Sequence, residues 1–201
     1  GECDQTKVTG ECNGKKVTTS VEDGRFMLYF PPMEAGGPYD MKITCDGAEV
    51  AYHDIMIGEV WFAGGQSNME LNYVQYYENA TYNFGNGLIT TGDLPKPLVD
   101  DNVKFVIANH DVEDTDFPLS AVNQSADAWL TVDSTNSLHL SYLAQQFAMQ
   151  LRAKHPNVPI GIIQTAWGGT PIRRHVQGGD IYANHIAPLK GFHVAGVLWD
   201  Q

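Results

Sequence analysis

Alternation of polar and apolar residues marks the first 57 residues as a set of short strands. The pattern predicts strands over 15–21, 25–30, 39–45 and 48–52. Asp46-Gly47, between the last two runs, is typical of a tight hairpin turn. Because so few strands bury little core by themselves, we expect residues 1–57 to form part of a small antiparallel β-sandwich module.

From residue 58 the pattern changes to buried apolar runs, which predict strands at 59–63, 103–108, 159–166 and 194–199. Apolar residues at helical spacing predict a helix over 138–154, ended by basic residues and Pro156. Strands that alternate with helices predict an α/β domain over 58–201, with a parallel sheet flanked by helices. Ligands of such sheets bind beyond the carboxyl ends of the strands.

Composition and charge exclude several classes of protein. Of the 201 residues, 43% are hydrophobic and 18% are charged, which is a globular composition. No apolar run approaches the roughly 20 residues of a membrane helix. The net charge of −12 argues against a nucleic-acid partner and disfavours binding to anionic lipid. Polar residues 71–102, rich in Asn, Tyr and Gly, predict a surface insertion that lines the ligand pocket expected beyond the strand ends.

The three cysteines show no zinc or Cys-x-x-Cys spacing, and we predict no metal site. Cys3 can pair with Cys12, or either of them with Cys45, and buried unpaired thiols are an equal alternative. The first residues lack the features of an intact signal peptide, and we expect either a removed signal or a missing true start. The sequons at Asn79 and Asn123 matter only in a secreted eukaryotic protein.

Turns that carry candidate chemistry follow three of the predicted strands. These are Gly64-Gly65-Gln66-Ser67-Asn68-Met69, Ala166-Trp167-Gly168-Gly169-Thr170-Pro171 and Trp199-Asp200-Gln201. A serine on a tight strand-to-helix turn exposes its hydroxyl above the sheet, where backbone N–H groups stabilise an oxyanion. Read alone, the first turn favours a helix cap formed by Ser67 or Asn68. It is not the Gly-x-Ser-x-Gly nucleophile elbow.

Together these motifs resemble the sialate O-acetylesterase family, within the SGNH-type hydrolases. Residues 57–69 resemble its first block, residues 160–172 its second, and residues 186–189 with 196–201 the run into its third. Residues 36–39 match the β-module that precedes the catalytic domain. The resemblance covers nearly the whole chain in the family's order. It implies an SGNH-hydrolase-like fold and a serine esterase that acts on O-acetylated sugar.

Carried over by position, the resemblance makes Ser67 the nucleophile. Its oxyanion hole would consist of the Ser67 N–H, a glycine N–H of the second turn, with Gly168 as first choice, and the Gln201 side chain. The other candidate substrate contacts are Gln66, Asn68, Trp167, Gly169 and Arg173. Arg173 or Arg174 suits a sugar carboxylate, although Arg173-Arg174-His175 replaces the family's frequent Glu-Ala-Trp. No cofactor is implied.

The resemblance places the catalytic histidine and aspartate outside this chain. The family takes them from a late Asp-x-x-His segment, and none of the seven histidines here has an acidic residue three positions before it. We therefore expect a missing C-terminal portion of the same protein, covalently joined or as a second chain, to supply them. We expect the fragment alone to be inactive. His175, placed near the pocket mouth, and His185 are weaker candidates for a local base.

The resemblance thus implies removal of O-acetyl groups from sialic acid or other acetylated carbohydrates through an acyl-enzyme. One alternative is a non-catalytic glycan-binding module on the same fold. Another is an acetylxylan-type, broad-specificity or lipase-like esterase, but the Tyr- and Asn-rich insertion favours a sugar substrate. The expected location is secreted, periplasmic or lysosomal.

Overall fold

The computed structural model describes residues 1–75, 96–108, 110 and 129–201. Two compact units divide the chain: Gly1–Gly58 with Asn157–Pro159, and Glu59–Pro156 with Ile160–Gln201. Both sequons and most of the predicted insertion at 71–102 lie outside the described residues. Within the described residues, no helix is long and apolar enough to cross a membrane.

The first unit contains one antiparallel sheet in the order β2-β1-β3-β4. Its strands are β1 (Lys7–Cys12), β2 (Lys15–Ser20), β3 (Gly36–Cys45) and β4 (Ala48–Ile57). The predicted hairpin between β3 and β4 is confirmed, because Cys45 pairs with Ala48 across the turn. Asp46 and Gly47 supply the two positive φ angles, +46° and +82°, that such a two-residue turn requires.

Two features of this sheet differ from the sequence prediction. The sequence pattern missed β1, in which the inward positions are Val8, Gly10 and Cys12. The strand predicted at 25–30 is wrong, because residues 26–35 form no strand. Pro31 and Pro32 lack the N–H groups that a ladder needs. Leu28 nevertheless packs against β1, since a Cβ added at Gly10 would lie 2.7 Å from its Cδ1.

The cysteines adopt one of the pairings left open by the sequence. Cys3 and Cys45 form a disulfide, which joins the start of the chain to the end of β3. Cys12 keeps a free thiol that is buried in the sheet. Burial raises the pKa of this thiol, so Cys12 stays protonated and packs as a small apolar side chain.

The second unit contains a five-stranded sheet in the order β7-β6-β8-β5-β9. Its strands are β5 (Glu59–Gly65), β6 (Asp100–Ile107), β7 (Leu130–Val132), β8 (Ile160–Gln164) and β9 (Gly196–Asp200). Strands β6, β8, β5 and β9 are parallel, and β7 is an antiparallel edge strand. The predicted α/β fold class is confirmed. Phe62, Val106 and Ile163, one from each of the three central strands, form its buried core.

The helix predicted at 138–154 begins four residues later than expected, as α2 (Tyr142–Lys154). Leu140 is extended, with φ −90° and ψ 156°, and a short 3₁₀ turn covers Asn136–His139. Ser141 is the N-cap of α2, because its hydroxyl accepts the Ala144 N–H at 3.1 Å. The helix ends at Lys154 as predicted.

Ser141 also ties α2 to the turn that carries Ser67. Its hydroxyl donates to the Met69 carbonyl at 2.6 Å, and its N–H donates to Gln164 Oε1 at 2.9 Å. The Tyr142 N–H donates to the Leu71 carbonyl at 2.9 Å. Ser141 is fully buried, so each of these bonds replaces a bond to water. The hydrogen bonds of Ser141 and Tyr142 therefore hold the short helix after β5 in place.

Replacing Ser141 with alanine should lower the free energy of unfolding by about 2 kcal/mol, because a helix cap is lost and the Met69 carbonyl loses its donor. Ser137 offers a matched control. It is equally buried, and its hydroxyl has no hydrogen-bond partner among the described residues. Ser137→Ala should leave stability unchanged or slightly raised in urea unfolding. Equal losses in both variants would contradict the assignment of Ser141 as an anchor.

Candidate active site

Three neighbouring strands bring the three predicted turns to one edge of the sheet. β5 lies between β8 and β9, and all three run parallel. Their carboxyl ends therefore meet at the same edge, where ligands of open α/β sheets bind. Ser67 follows β5, the Gly168-Gly169 turn follows β8, and Gln201 follows β9.

Backbone hydrogen bonds fix the turn that leads from β5 to Ser67. The Gln66 N–H donates to the Asp200 carbonyl at 2.9 Å, and the Trp167 N–H donates to the Gly65 carbonyl at 3.0 Å. Gly65 has φ +126°, and a Cβ at this position would overlap the Asp200 carbonyl. Only glycine fits here. The three turns are thus joined directly through their main chains.

Ser67 is the first residue of α1 (Ser67–Glu70) and not its cap. Gln66 holds the cap position and makes no capping bond with its side chain. The helix-cap interpretation of Ser67 is therefore wrong. Ser67 is half-buried, and among the described residues none hydrogen-bonds its hydroxyl. Asn68 is exposed.

The backbone N–H of Gly168, the first choice as an oxyanion donor, is bound to Glu70. The distance from the Gly168 nitrogen to Glu70 Oε2 is 2.5 Å. An oxyanion can use this N–H only if Glu70 releases it. The neighbouring Gly169 is exposed, with φ +73°, and its N–H has no acceptor within the described part of the chain.

Gln201 reaches the same turn through its side chain. Its Nε2 donates to the Thr170 carbonyl at 2.8 Å. This bond uses one of the two amide hydrogens and leaves the second for a ligand. Gln201 therefore holds the glycine turn in place, and it keeps one donor of the kind that an oxyanion hole needs.

A buried network below the turn includes His175. The Thr170 hydroxyl donates to the Trp167 carbonyl at 2.5 Å, so its oxygen accepts from His175 Nε2–H at 2.7 Å. Burial, followed by the charge of Arg174, lowers the pKa of His175. The ring is therefore neutral near pH 7, and its Nε2 proton is committed to Thr170.

The two histidines considered as local bases lie inside the protein. His175 is 4% exposed and His185 is 0% exposed. The expectation that His175 lies near the pocket mouth is therefore wrong. The apolar positions Ile172 and Val176 on either side of it are exposed instead, a local arrangement that hydrophobic patterning does not indicate.

The arginine pair divides into one engaged and one available side chain. Arg174 binds both carboxylate oxygens of Asp180, at 2.6 to 3.1 Å, and the pKa of Asp180 is lowered to about 2 by this pair. The Arg174 guanidinium also lies 4.7 Å from the centre of the Trp167 ring. Arg173 is exposed and has no partner among the described residues, so Arg173 is the better candidate for a sugar carboxylate.

Sequence reasoning missed Glu70 and His110, which form an ion pair at this edge. Glu70 Oε1 lies 3.1 Å from His110 Nε2. Burial opposes ionisation of Glu70, but hydrogen bonds from His110 and Gly168 outweigh it and lower the pKa of Glu70. The bond to Glu70 raises the pKa of His110, against the effect of burial. The only available signal was a glutamate one helical turn after Ser67.

No group of three His, Cys, Asp or Glu side chains in the described residues has the arrangement that holds a metal ion. The groups that meet at this edge are a serine hydroxyl, backbone N–H groups, an amide and a carboxylate–imidazole pair. This set of groups suits acyl transfer.

Comparisons with known proteins show the family to which the chain belongs. The family described as "Carbohydrate esterase, sialic acid-specific acetylesterase" matches residues 57–201. The sialate O-acetylesterase of Homo sapiens is 29% identical over 178 residues, and that of Rattus norvegicus is 25% identical over 175 residues. The matches cover 84% and 80% of this chain. The chain spans about a third of the length of these relatives, 32% and 30%.

A solved structure is similar over almost the entire chain. The crystal structure of a carbohydrate acetylesterase from Xanthomonas citri superposes with a TM-score of 0.72 at 25% sequence identity. The superposition covers 99% of this chain and 45% of that protein. Both units described above thus have counterparts in that structure.

Proposed function

Because the chain belongs to the sialic acid-specific acetylesterase family of carbohydrate esterases, we propose that it carries the nucleophile of a serine esterase. The substrate class is O-acetylated sialic acid or another acetylated carbohydrate. The observation that supports this proposal is the convergence of Ser67, the Gly168-Gly169 turn and Gln201 at the ends of three adjacent parallel strands.

In the proposed reaction, Ser67 Oγ attacks the acetyl carbonyl while a base takes its proton. The tetrahedral intermediate then expels the sugar oxygen, which receives that proton, and leaves an acetyl group on Ser67. Water attacks the acetyl-enzyme, and acetate departs as the serine hydroxyl is restored. The N–H of Ser67, the N–H of Gly169 and the second amide hydrogen of Gln201 serve as oxyanion donors. Gly169 replaces Gly168 here because Glu70 binds the Gly168 N–H.

The base is proposed to come from outside residues 1–201. Among the described residues no histidine hydrogen-bonds Ser67, and His110 already faces Glu70. His175 and His185 are buried. A C-terminal portion of the same protein, covalently joined or as a second chain, would supply the histidine and aspartate.

The Cys3–Cys45 disulfide supports a location outside the cytosol, since such bonds persist in oxidising compartments. We propose a secreted, periplasmic or lysosomal protein. Exposed Arg173 is the proposed contact for the carboxylate of a sialic acid. Its guanidinium presents a fork that matches two carboxylate oxygens.

An acetate-release assay tests the proposed function. The complete gene product and residues 1–201 alone are each incubated with O-acetylated sialic acid and with p-nitrophenyl acetate. Only the complete gene product should release acetate. Turnover by residues 1–201 alone would place the base within this chain. Failure of the complete gene product on every acetyl ester would favour the non-catalytic glycan-binding alternative.

A further inference from the structure

Glu70 lies one helical turn after Ser67 and connects three parts of the candidate site. Its Oε2 accepts the Gly168 N–H at 2.5 Å, and its Oε1 lies 3.1 Å from His110 Nε2. The Ser67 helix, the turn after β8 and the segment after β6 therefore meet at one carboxylate. The acyl-transfer steps outlined above assign it no role.

His110 also contacts the turn after β8. Its ring stacks on Trp167, with centroids 4.5 Å apart and planes inclined by 6°, and its Nε2 lies 3.3 Å from the Ala166 carbonyl. The lowered pKa of Glu70 and the raised pKa of His110 keep this pair ionised between mildly acidic and near-neutral pH. A carboxylate that accepts from a cationic ring and a backbone N–H makes stronger bonds than a neutral acceptor.

Gly168 lies close to both Ser67 and this carboxylate. A Cβ added at Gly168 would lie 2.6 Å from Glu70 Oε2 and 3.6 Å from Cα and Cβ of Ser67. A side chain at Gly168 would have to displace the carboxylate. The glycine turn is thus drawn against the Ser67 helix by a bond from its own backbone.

We propose that Glu70 is a positioning residue, whose carboxylate holds the Gly168-Gly169 turn at a fixed distance from the Ser67 hydroxyl. This inference rests on the proposed function, because the distance matters for an oxyanion that forms between the nucleophile and the turn. Glu70 touches no reacting atom in this account. It acts through the backbone of Gly168.

Kinetics of the complete gene product on p-nitrophenyl acetate test this role. Glu70→Ala should lower kcat by about 100-fold with KM changed by less than about threefold, because a shift of the turn weakens binding of the transition state and not of the substrate. Glu70→Gln should keep kcat within about tenfold of wild type, because its amide oxygen still accepts the Gly168 N–H and its NH₂ donates to a neutral His110.

Glu59→Ala is the matched control. Glu59 is a half-buried glutamate at the opposite end of β5 that accepts the Trp61 Nε1–H at 3.2 Å, and its loss should leave kcat unchanged. Gly168→Ala provides a second test in case Glu70→Ala does not fold, because the added methyl group displaces the carboxylate without removing it. It should show the same loss of kcat.

Three results would overturn the proposal while Ser67→Ala still abolishes turnover. One is wild-type kcat in Glu70→Ala. Another is a raised kcat in that variant, which would show that the carboxylate keeps the Gly168 N–H from binding the oxyanion. The third is a Glu70→Gln variant as impaired as Glu70→Ala, which would assign the effect to charge. If Ser67→Ala keeps its activity, the proposed function fails instead.

Discussion

Replacement of Ser67 by alanine is expected to lower kcat/KM of the complete gene product on acetyl esters by about 10⁴-fold or more. Without the hydroxyl no acetyl-enzyme can form, and the residual rate comes from oxyanion donors and substrate binding alone. We expect KM to change little, because the substitution removes the attacking atom and leaves the other proposed substrate contacts in place. Steady-state kinetics on p-nitrophenyl acetate measure both quantities.

Ser20→Ala serves as the control for this loss. Ser20 is an exposed serine at the end of β2, and its replacement should leave the rate unchanged. Wild-type turnover by the Ser67→Ala protein would remove Ser67 from the mechanism. The thermal midpoints of both variants should match wild type, since neither hydroxyl supports the fold.

Gly65→Ala is expected to have the largest effect on stability, about 4 kcal/mol or more. Gly65 pairs with Asp200 across β5 and β9, and a methyl group would overlap the Asp200 carbonyl. Its φ of +126° is also strained for any other residue. The change forces apart the ends of two strands, two residues before Ser67, so esterase activity should fall with stability.

Gly191→Ala separates the overlap from the backbone strain. Gly191 also has a positive φ, +88°, but an added Cβ there meets no atom within 4 Å. This variant should lose only about 1 kcal/mol, the strain of a left-handed non-glycine residue. Urea unfolding of both variants measures the difference, and equal losses would contradict the steric argument.

The strands that carry the site were predictable because each ends in an apolar run followed by glycine or a polar turn. The bounds of β5, β8 and β9 all lie within two residues of the predicted ones. Their order in the sheet was not predictable from local pattern. Their adjacency results from pairings such as Phe62 with Ile163 and with Val197, which are remote in sequence.

The N-terminal unit shows the limits of the pattern more clearly. The hydrophobic pattern does not indicate β1, because one of its inward positions is Gly10, which has no apolar side chain. Leu28 packs against Gly10 instead. The apolar composition of residues 25–30 predicts a strand. The run lies against β1 as packing and not as a hydrogen-bonded partner, and only the tertiary structure distinguishes the two.

Only part of the candidate site was predictable from the sequence, for a similar reason. Ser67, the glycine pair and Gln201 stand in recognisable motifs, whereas Glu70 and His110 are 40 residues apart and pair through space. A search for an acidic residue three positions before each histidine cannot find such a pair. The beginning of α2 was also shifted by a tertiary contact, the bond from Ser141 to the Met69 carbonyl.

Detection of an acetyl-enzyme would show whether Ser67 is the nucleophile. The complete gene product is mixed with excess acetyl ester, quenched in acid within the first turnovers, digested and examined by mass spectrometry. One added acetyl group is expected on the peptide that contains Ser67. It should be absent from Ser67→Ala and lost when substrate is exhausted. Turnover with no acetylated peptide, or with the acetyl group on another residue, would contradict this role of Ser67.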